Sequence, residues 1–267
     1  MMNVIVSKGR VADRAPNMIE GAILTANAIT KKYNIIPEFI GDNYPIEKDD
    51  WTVSLPQARN TLNGIKKSIS NSISHNKKTL LLSNTCSVSL ASLPVVAEKH
   101  PDAYILWIDA HGDFNTPDTT DSGYLGGMVL AAVCGLWESG HGDGVKTQKT
   151  IIIGARDIDD DEKYLIETNN VKLIKPEEFT PNNVINIIGD SPVWIHVDWD
   201  VLEPGYLPAD YCVENGITPK QIKSLLQEIP NEKILGLELA EFNASNNKDV
   251  NDKAVEIILD IVSPLFK

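Results

Sequence analysis

Hydrophobic positions along this chain fall into two alternating patterns. Short β-rich runs occupy 3–7 (NVIVS), 79–82 (TLLL), 103–108 (AYILWI), 150–153 (TIII), 171–174 (VKLI), 193–197 (VWIHV) and 234–239 (ILGLEL). Between them lie stretches with the helical repeat. The clearest is 16–33, where Met18, Ile19, Ala22, Ile23, Ala26 and Ile29 form one stripe. Helices are also predicted over 88–98 (despite Pro94), 125–137, 162–168, 181–188, 219–227 and 249–262. Strands alternating with helices predict right-handed βαβ units, and hence an α/β fold with a parallel sheet covered on both faces. Ligands bind such sheets at the carboxyl ends of the strands, so the residues just after each strand are the candidates for chemistry.

Composition narrows this picture. No compositional break or repeat divides the 267 residues, so a single domain over 1–267 is expected. Lys and Arg number 24 against 37 Asp and Glu, a formal charge of −13. That argues against a nucleic-acid partner, whose phosphates are bound by Lys and Arg. It is compatible with a cationic one. The three cysteines, Cys86, Cys134 and Cys212, are widely spaced with no CxxC, which reads as a reduced, cytoplasmic chain. The apolar run before Lys8 and Arg10 is too short for a signal peptide. No stretch approaches the ~18 apolar residues of a membrane span. A membrane partner is therefore not expected, and a homo-oligomer is left open.

Chemistry concentrates after two of the strands. After 103–108 comes Asp109-Ala-His111-Gly-Asp113, three potential metal ligands at spacing two. Fully extended, the outer pair would stand roughly 13 Å apart at ~3.3 Å per residue. One ion cannot span that, so the segment bends, serves two ions, or both; Gly112 would make a bend cheap. After 193–197 comes Asp198-Trp-Asp200, a second acidic pair. Alone it also reads as a turn or helix cap. Together, four Asp and one His converging at strand ends would repel strongly without cations, and hard oxygen ligands with one imidazole suit Mn²⁺, Mg²⁺ or Fe²⁺. His75, His100 and His141 read as solvated loop residues, and His196 as a buried, hydrogen-bonded strand residue. The acidic run 157–162 reads as a solvated helix start.

These residues, in this order, resemble the arginase/agmatinase (ureohydrolase) family. The resemblance is carried by Asp-Ala-His-Gly-Asp-Phe-Asn-Thr-Pro at 109–117, Ser122-Gly123, Gly154-Ala-Arg-Asp157, the run from His196 to Pro204, and Leu237-Glu-Leu-Ala-Glu-Phe-Asn243. It implies a three-layer α/β/α fold with a parallel sheet of about eight strands, and a site holding two Mn²⁺ ions bridged by hydroxide. It implies that Asp109 and Asp198 bridge both ions, that Asp113 ligates one, and that His111 and Asp200 ligate the other. Glu241 matches the acid that holds the substrate guanidinium. Asn115 and Ser122 match substrate-lining positions, and Asp159 and Glu162 match acids near the substrate amino group. Asp113 is the expected proton acceptor, passing the proton to the departing amine.

The departures bear on substrate. Where the family has a metal-binding histidine, this chain has Cys86, which is read either as a ligand or as a small buried residue. The family's Ser-Gly-Asn-Leu-His-Gly run is here Ser122-Gly-Tyr124-Leu-Gly126-Gly127. Tyr124 cannot supply the amide that reads a free α-carboxylate, and Gly126 cannot shuttle a proton. An ordinary free-arginine arginase is therefore not expected. The pattern resembles a branch with the peptide arginases and the Nω-hydroxy-L-arginine hydrolase of D-cycloserine biosynthesis. The first expectation is a peptide arginase, converting arginine to ornithine and urea within a precursor peptide. The alternative is hydrolysis of free Nω-hydroxy-L-arginine to ornithine and hydroxyurea. From other classes, a single-zinc deacylase or a non-catalytic binding protein on the same scaffold is weighed.

Overall fold

The computed structural model describes residues 2–42 and 44–266. Among these residues eight strands form one sheet: β1 (Met2–Ser7), β2 (Glu38–Ile40), β3 (Lys78–Leu82), β4 (Tyr104–Ile108), β5 (Thr150–Ile153), β6 (Lys172–Ile174), β7 (Val193–Asp198) and β8 (Ile234–Ala240). Their order is β2-β1-β3-β8-β7-β4-β5-β6, and every pairing is parallel. Eight helices connect and flank them: α1 (Met18–Tyr33), α2 (Trp51–Ser74), α3 (Ser89–Lys99), α4 (Val129–Val133), α5 (Asp160–Thr168), α6 (Pro181–Ile188), α7 (Pro219–Glu228) and α8 (Lys248–Val262).

Strand alternation sends side chains to two separate cores. Val4, Val6, Leu80, Leu82, Leu106, Ile108, Ile195 and Val197 pack on one face with α1, α6, α7 and α8. Ile5, Leu81, Ile105, Trp107, Ile152 and Trp194 pack on the other with α2, α3, α4 and α5. This is the expected three-layer α/β/α arrangement. No helix among the described residues is long and apolar enough to cross a membrane.

Three elements differ from the sequence-based expectation. The 24-residue α2 and the edge strand β2 were not predicted. The buried face of α2 carries Ser54, Thr61, Ser68 and Ser72 among Leu55, Leu62, Ile65 and Ile69, so its apolar stripe is broken by small hydroxyl residues. Strand β2 has three residues, two of them exposed, and offers no alternation to read. The helix expected over 125–137 is a single 3-10 turn, Gly126–Met128, followed by the five-residue α4. Gly135 turns left-handed (φ +82°) and ends it. His141, expected to be solvated, is 7% exposed; its carbonyl accepts from Lys66 Nζ of α2.

Asp13, in the loop after β1, is fully buried. Its Oδ2 accepts from the Val11 N–H at 2.8 Å and from Asn84 Nδ2 at 2.5 Å. Burial pushes its carboxyl up to about 6. The folded protein thus holds a proton that the unfolded chain gives up near its ordinary value of 3.8. The stabilisation is complete below that lower value and is lost as pH rises toward the upper one, an expected fall of about 3 kcal/mol. Urea titrations from pH 4 to 7 should show it in wild type and a flatter profile in Asp13→Asn. Parallel profiles would contradict the assignment.

Candidate active site

The neighbouring strands β3, β8, β7 and β4 deliver Cys86, Glu241, Asp198 and Asp109 at or just beyond their carboxyl ends. The sequence-predicted residues Cys86, His111, Asp113, Asn115, Ser122, Tyr124, Asp159, Glu162, Asp198, Asp200 and Glu241 all line one cavity of about 280 Å³. Asp109 lies beneath it, fully buried.

The 109–113 segment does bend. The His111 N–H donates to Asp109 Oδ1 at 2.7 Å, and His111 Nδ1 lies 3.3 Å from that oxygen and 3.1 Å from Asp200 Oδ2. The bend falls at Asp109–His111, closed by the hydrogen bond from the His111 N–H, and not at Gly112. Asp113 takes the left-handed conformation (φ +49°), while Gly112 makes room, since a Cβ there would lie 2.7 Å from the Glu162 carboxyl carbon. Glu241 is also left-handed (φ +65°). Of the seven non-glycine residues with positive φ among those described, Asp113 and Glu241 line this cavity, which fits the tendency of strain to gather at functional sites. Asp198 Oδ1 accepts from the Asp200 N–H at 2.8 Å, so this carboxylate caps a turn and faces the cavity at once. Asp200 Oδ1 in turn accepts from the Ala110 N–H at 3.2 Å, tying the β7 loop to the β4 loop.

Charges are crowded here. Burial, then the charge of Asp109, holds the Asp113 carboxyl well above its usual range. Burial, then Asp200 and Asp109, does the same to Asp198, and burial and Asp109 raise Asp200. Although burial opposes it, hydrogen bonds to Asp109 and Asp200 hold the His111 imidazole well above its ordinary value. Burial raises Glu241 strongly, and raises Glu162 to about 7. The donor set is therefore short of positive charge. Ligand atoms of Asp109, His111 and Asp200, of Cys86, Asp198 and Glu241, and of Cys86, Asp109 and His196 each lie within 4.8 Å of one another. Such groupings fit divalent cations, which would relieve the repulsion that otherwise favours protonation.

The substrate-side predictions separate in position. Asn115 Nδ2 donates to Asp159 Oδ2 at 2.8 Å. Asp159 Oδ1 caps α5 by accepting from the Glu162 N–H at 2.8 Å, as the helix-start reading expects, and Asp159 also lines the cavity. Glu162 is 4% exposed and accepts from the Phe114 N–H at 2.8 Å. Tyr124 points inward, its hydroxyl 3.3 Å from Glu241 Oε1. Gly126 permits this pose, since a Cβ there would lie 2.4 Å from Tyr124 Cε1. The Arg14 guanidinium covers the tyrosine ring at 4.7 Å.

Two contributors were not foreseen. Tyr211 stands edge-on to His111, with ring centroids 5.3 Å apart, and lines the cavity from a loop with no pattern to mark it. His196 is buried in its strand as expected, but its Nε2 is 3.2 Å from Cys86 Sγ. Its position two residues before Asp198, on the same strand face, was the available signal.

The model of the Arginase family matches residues 2–263. The N(omega)-hydroxy-L-arginine amidinohydrolase of Streptomyces lavendulae is 52% identical over 266 residues, covering 100% of this chain and 97% of that protein. The arginase of Saccharomyces cerevisiae is 27% identical over 205 residues, covering 67% of this chain and 61% of its own. Among solved structures, the arginase of Bacillus subtilis superposes with a TM-score of 0.84 at 22% identity, covering 100% of this chain and 98% of that one. That likeness speaks to the fold.

Proposed function

This chain belongs to the arginase family and is an amidinohydrolase, and on that premise we propose that its substrate is free Nω-hydroxy-L-arginine, cleaved to L-ornithine and hydroxyurea. The observation that carries the substrate is the Tyr124 hydroxyl at 3.3 Å from Glu241 Oε1. Tyr124 had suggested a peptide substrate, as the loss of an α-carboxylate reader. Its hydroxyl instead stands beside Glu241, which in this reading holds the guanidine end. A hydroxylated guanidine offers an extra polar group there, and the phenol adds a group able to donate or accept. The relative at 52% identity supports the same substrate over a peptide.

Asp109, His111, Asp113, Asp198, Asp200 and Cys86 would hold a pair of cations, with Mn²⁺ the expected metal. Bound cations supply acidified water as nucleophile near neutral pH. Glu241 binds the guanidine N–H groups by charge-assisted hydrogen bonds. The Cys86 N–H (3.0 Å) and the Tyr124 hydroxyl both meet its Oε1, which leaves Oε2 for substrate. Asp113, which lines the cavity beside the other proposed ligands, would as a carboxylate take a proton from the attacking water and return it to the departing ornithine nitrogen. Asn115, Ser122 and Asp159 line the cavity at the amino-acid end.

The test compares kcat/KM for Nω-hydroxy-L-arginine, L-arginine and an arginine-containing peptide on manganese-loaded protein. A preference of at least about 100-fold for the hydroxylated amino acid is expected, the size of discrimination that a polar contact on substrate confers. Equal or better turnover of the peptide would restore the peptide reading, and a preference for L-arginine would end both.

A further inference from the structure

One rung below the proposed cation ligands lies a row of side chains to which the reaction assigns nothing. Register places Trp107 beside His196, and His196 beside Glu238, on β4, β7 and β8. All three are fully buried. Asp109 and Asp198 stand two residues further along, on the same sheet face. Trp107 already serves the upper row, since its Nε1–H donates to Asp109 Oδ2 at 3.1 Å. The Trp107 ring also stacks on the His196 imidazole, centroids 3.7 Å apart and planes within 5°. That fixes the plane of the imidazole.

The two ring nitrogens then face two different groups. Nδ1 lies 3.2 Å from Ser89 Oγ and 3.7 Å from Glu238 Oε2. Glu238 is itself held by Ser83, Ser92 and Trp194. Nε2 lies 3.2 Å from Cys86 Sγ, which lies 3.0 Å from Asp198 Oδ2. A continuous polar line thus runs from Glu238 to the sulfur that faces the cavity.

We propose that His196 is a positioning residue that aims the sulfur of Cys86, one of the ligands proposed above, at the cation pair. This rests on the reading of the site as a metal centre. A cysteine side chain has up to three staggered positions about χ1, and its backbone narrows them without fixing one. An imidazole stacked on Trp107 and hydrogen-bonded to Ser89, with the Glu238 carboxylate 3.7 Å away, selects one. Metal ligands are commonly oriented by such outer partners, whose loss costs about 10–100-fold in metal affinity. Sulfur is a soft ligand, so Cys86 makes this position accept cobalt readily and reports its own coordination by absorbance.

The experiment titrates metal-depleted protein with Co²⁺ and follows cobalt per chain and thiolate-to-cobalt charge-transfer absorption in the near ultraviolet. Wild type should bind two equivalents and show the band, and Cys86→Ser should lose it. His196→Asn keeps a polar group near Ser89 but does not reach the sulfur. It should lose most of the band and bind the second equivalent about 10–100-fold more weakly. His196→Gln, whose amide extends toward the Nε2 position, should recover much of both. If His196→Asn does not fold, Ser89→Ala carries the test through the same titration, with a several-fold weakening expected. Two bound cobalts without a band in wild type, or titrations of His196→Asn or Ser89→Ala matching wild type, would overturn the role of His196. Failure of wild type to bind cobalt at all would overturn the metal-centre reading beneath it.

Discussion

Asp198→Asn is expected to lower kcat by about 1,000-fold and to remove tight binding of at least one cation, while leaving the fold intact. The substitution is nearly isosteric, and the Asn side-chain oxygen can still accept from the Asp200 N–H that now meets Asp198 Oδ1 at 2.8 Å. What is lost is one negative oxygen, facing Cys86 Sγ at 3.0 Å. Changing an outer-shell partner costs about 10–100-fold in metal affinity or activity, and a direct ligand should exceed that. A second signature separates this from misfolding. Burial and the charges of Asp200 and Asp109 press on the Asp198 carboxylate, so the amide should make the metal-free protein more stable. Thermal unfolding with and without Mn²⁺ should show a raised metal-free Tm and a diminished gain on adding metal. Wild-type activity with an unchanged metal stoichiometry would remove Asp198 from the site.

Glu241→Gln is expected to lower kcat/KM by about 100-fold, mostly through a higher KM. The amide oxygen can still accept from the Cys86 N–H and the Tyr124 hydroxyl, so the surroundings should persist. The change strikes the other side-chain atom, where an acceptor carrying charge becomes an N–H₂ donor facing substrate N–H groups. A hydrogen bond to a charged group contributes about 1.5–3 kcal/mol, which corresponds to roughly 10- to 150-fold. Steady-state kinetics on Nω-hydroxy-L-arginine measure this directly. An unchanged KM would place the guanidine elsewhere in the cavity.

Much of the candidate site was legible because its proposed ligands are local in sequence. Asp109, His111 and Asp113 share one five-residue segment, Asp198 and Asp200 a three-residue one, and both follow short apolar runs that read as buried strands. Alternation and position were enough to forecast their meeting. Tyr211 and His196 were not legible in that way. Tyr211 acquires its place only because its loop brings it against His111. His196 was read as a buried strand histidine, which it is, but the identity of its partner depends on β3 lying two places away in the sheet. Helix α2 was hidden because small hydroxyl residues on its buried face masked the helical period.

By itself the sequence determined the alternating architecture, the four aspartates and the histidine at the strand ends, and the shortage of positive charge among them. These follow from periodicity, spacing and charge, which are properties of neighbours along the chain. The tertiary structure alone decided where Tyr124 points, that His196 and Asp198 both meet Cys86, and that the bend after β4 falls at Asp109–His111 and not at Gly112. Those outcomes depend on which strands lie side by side and how much room is left between them. Parallel pairing joins segments far apart in sequence, so neither quantity is written in any short stretch of it.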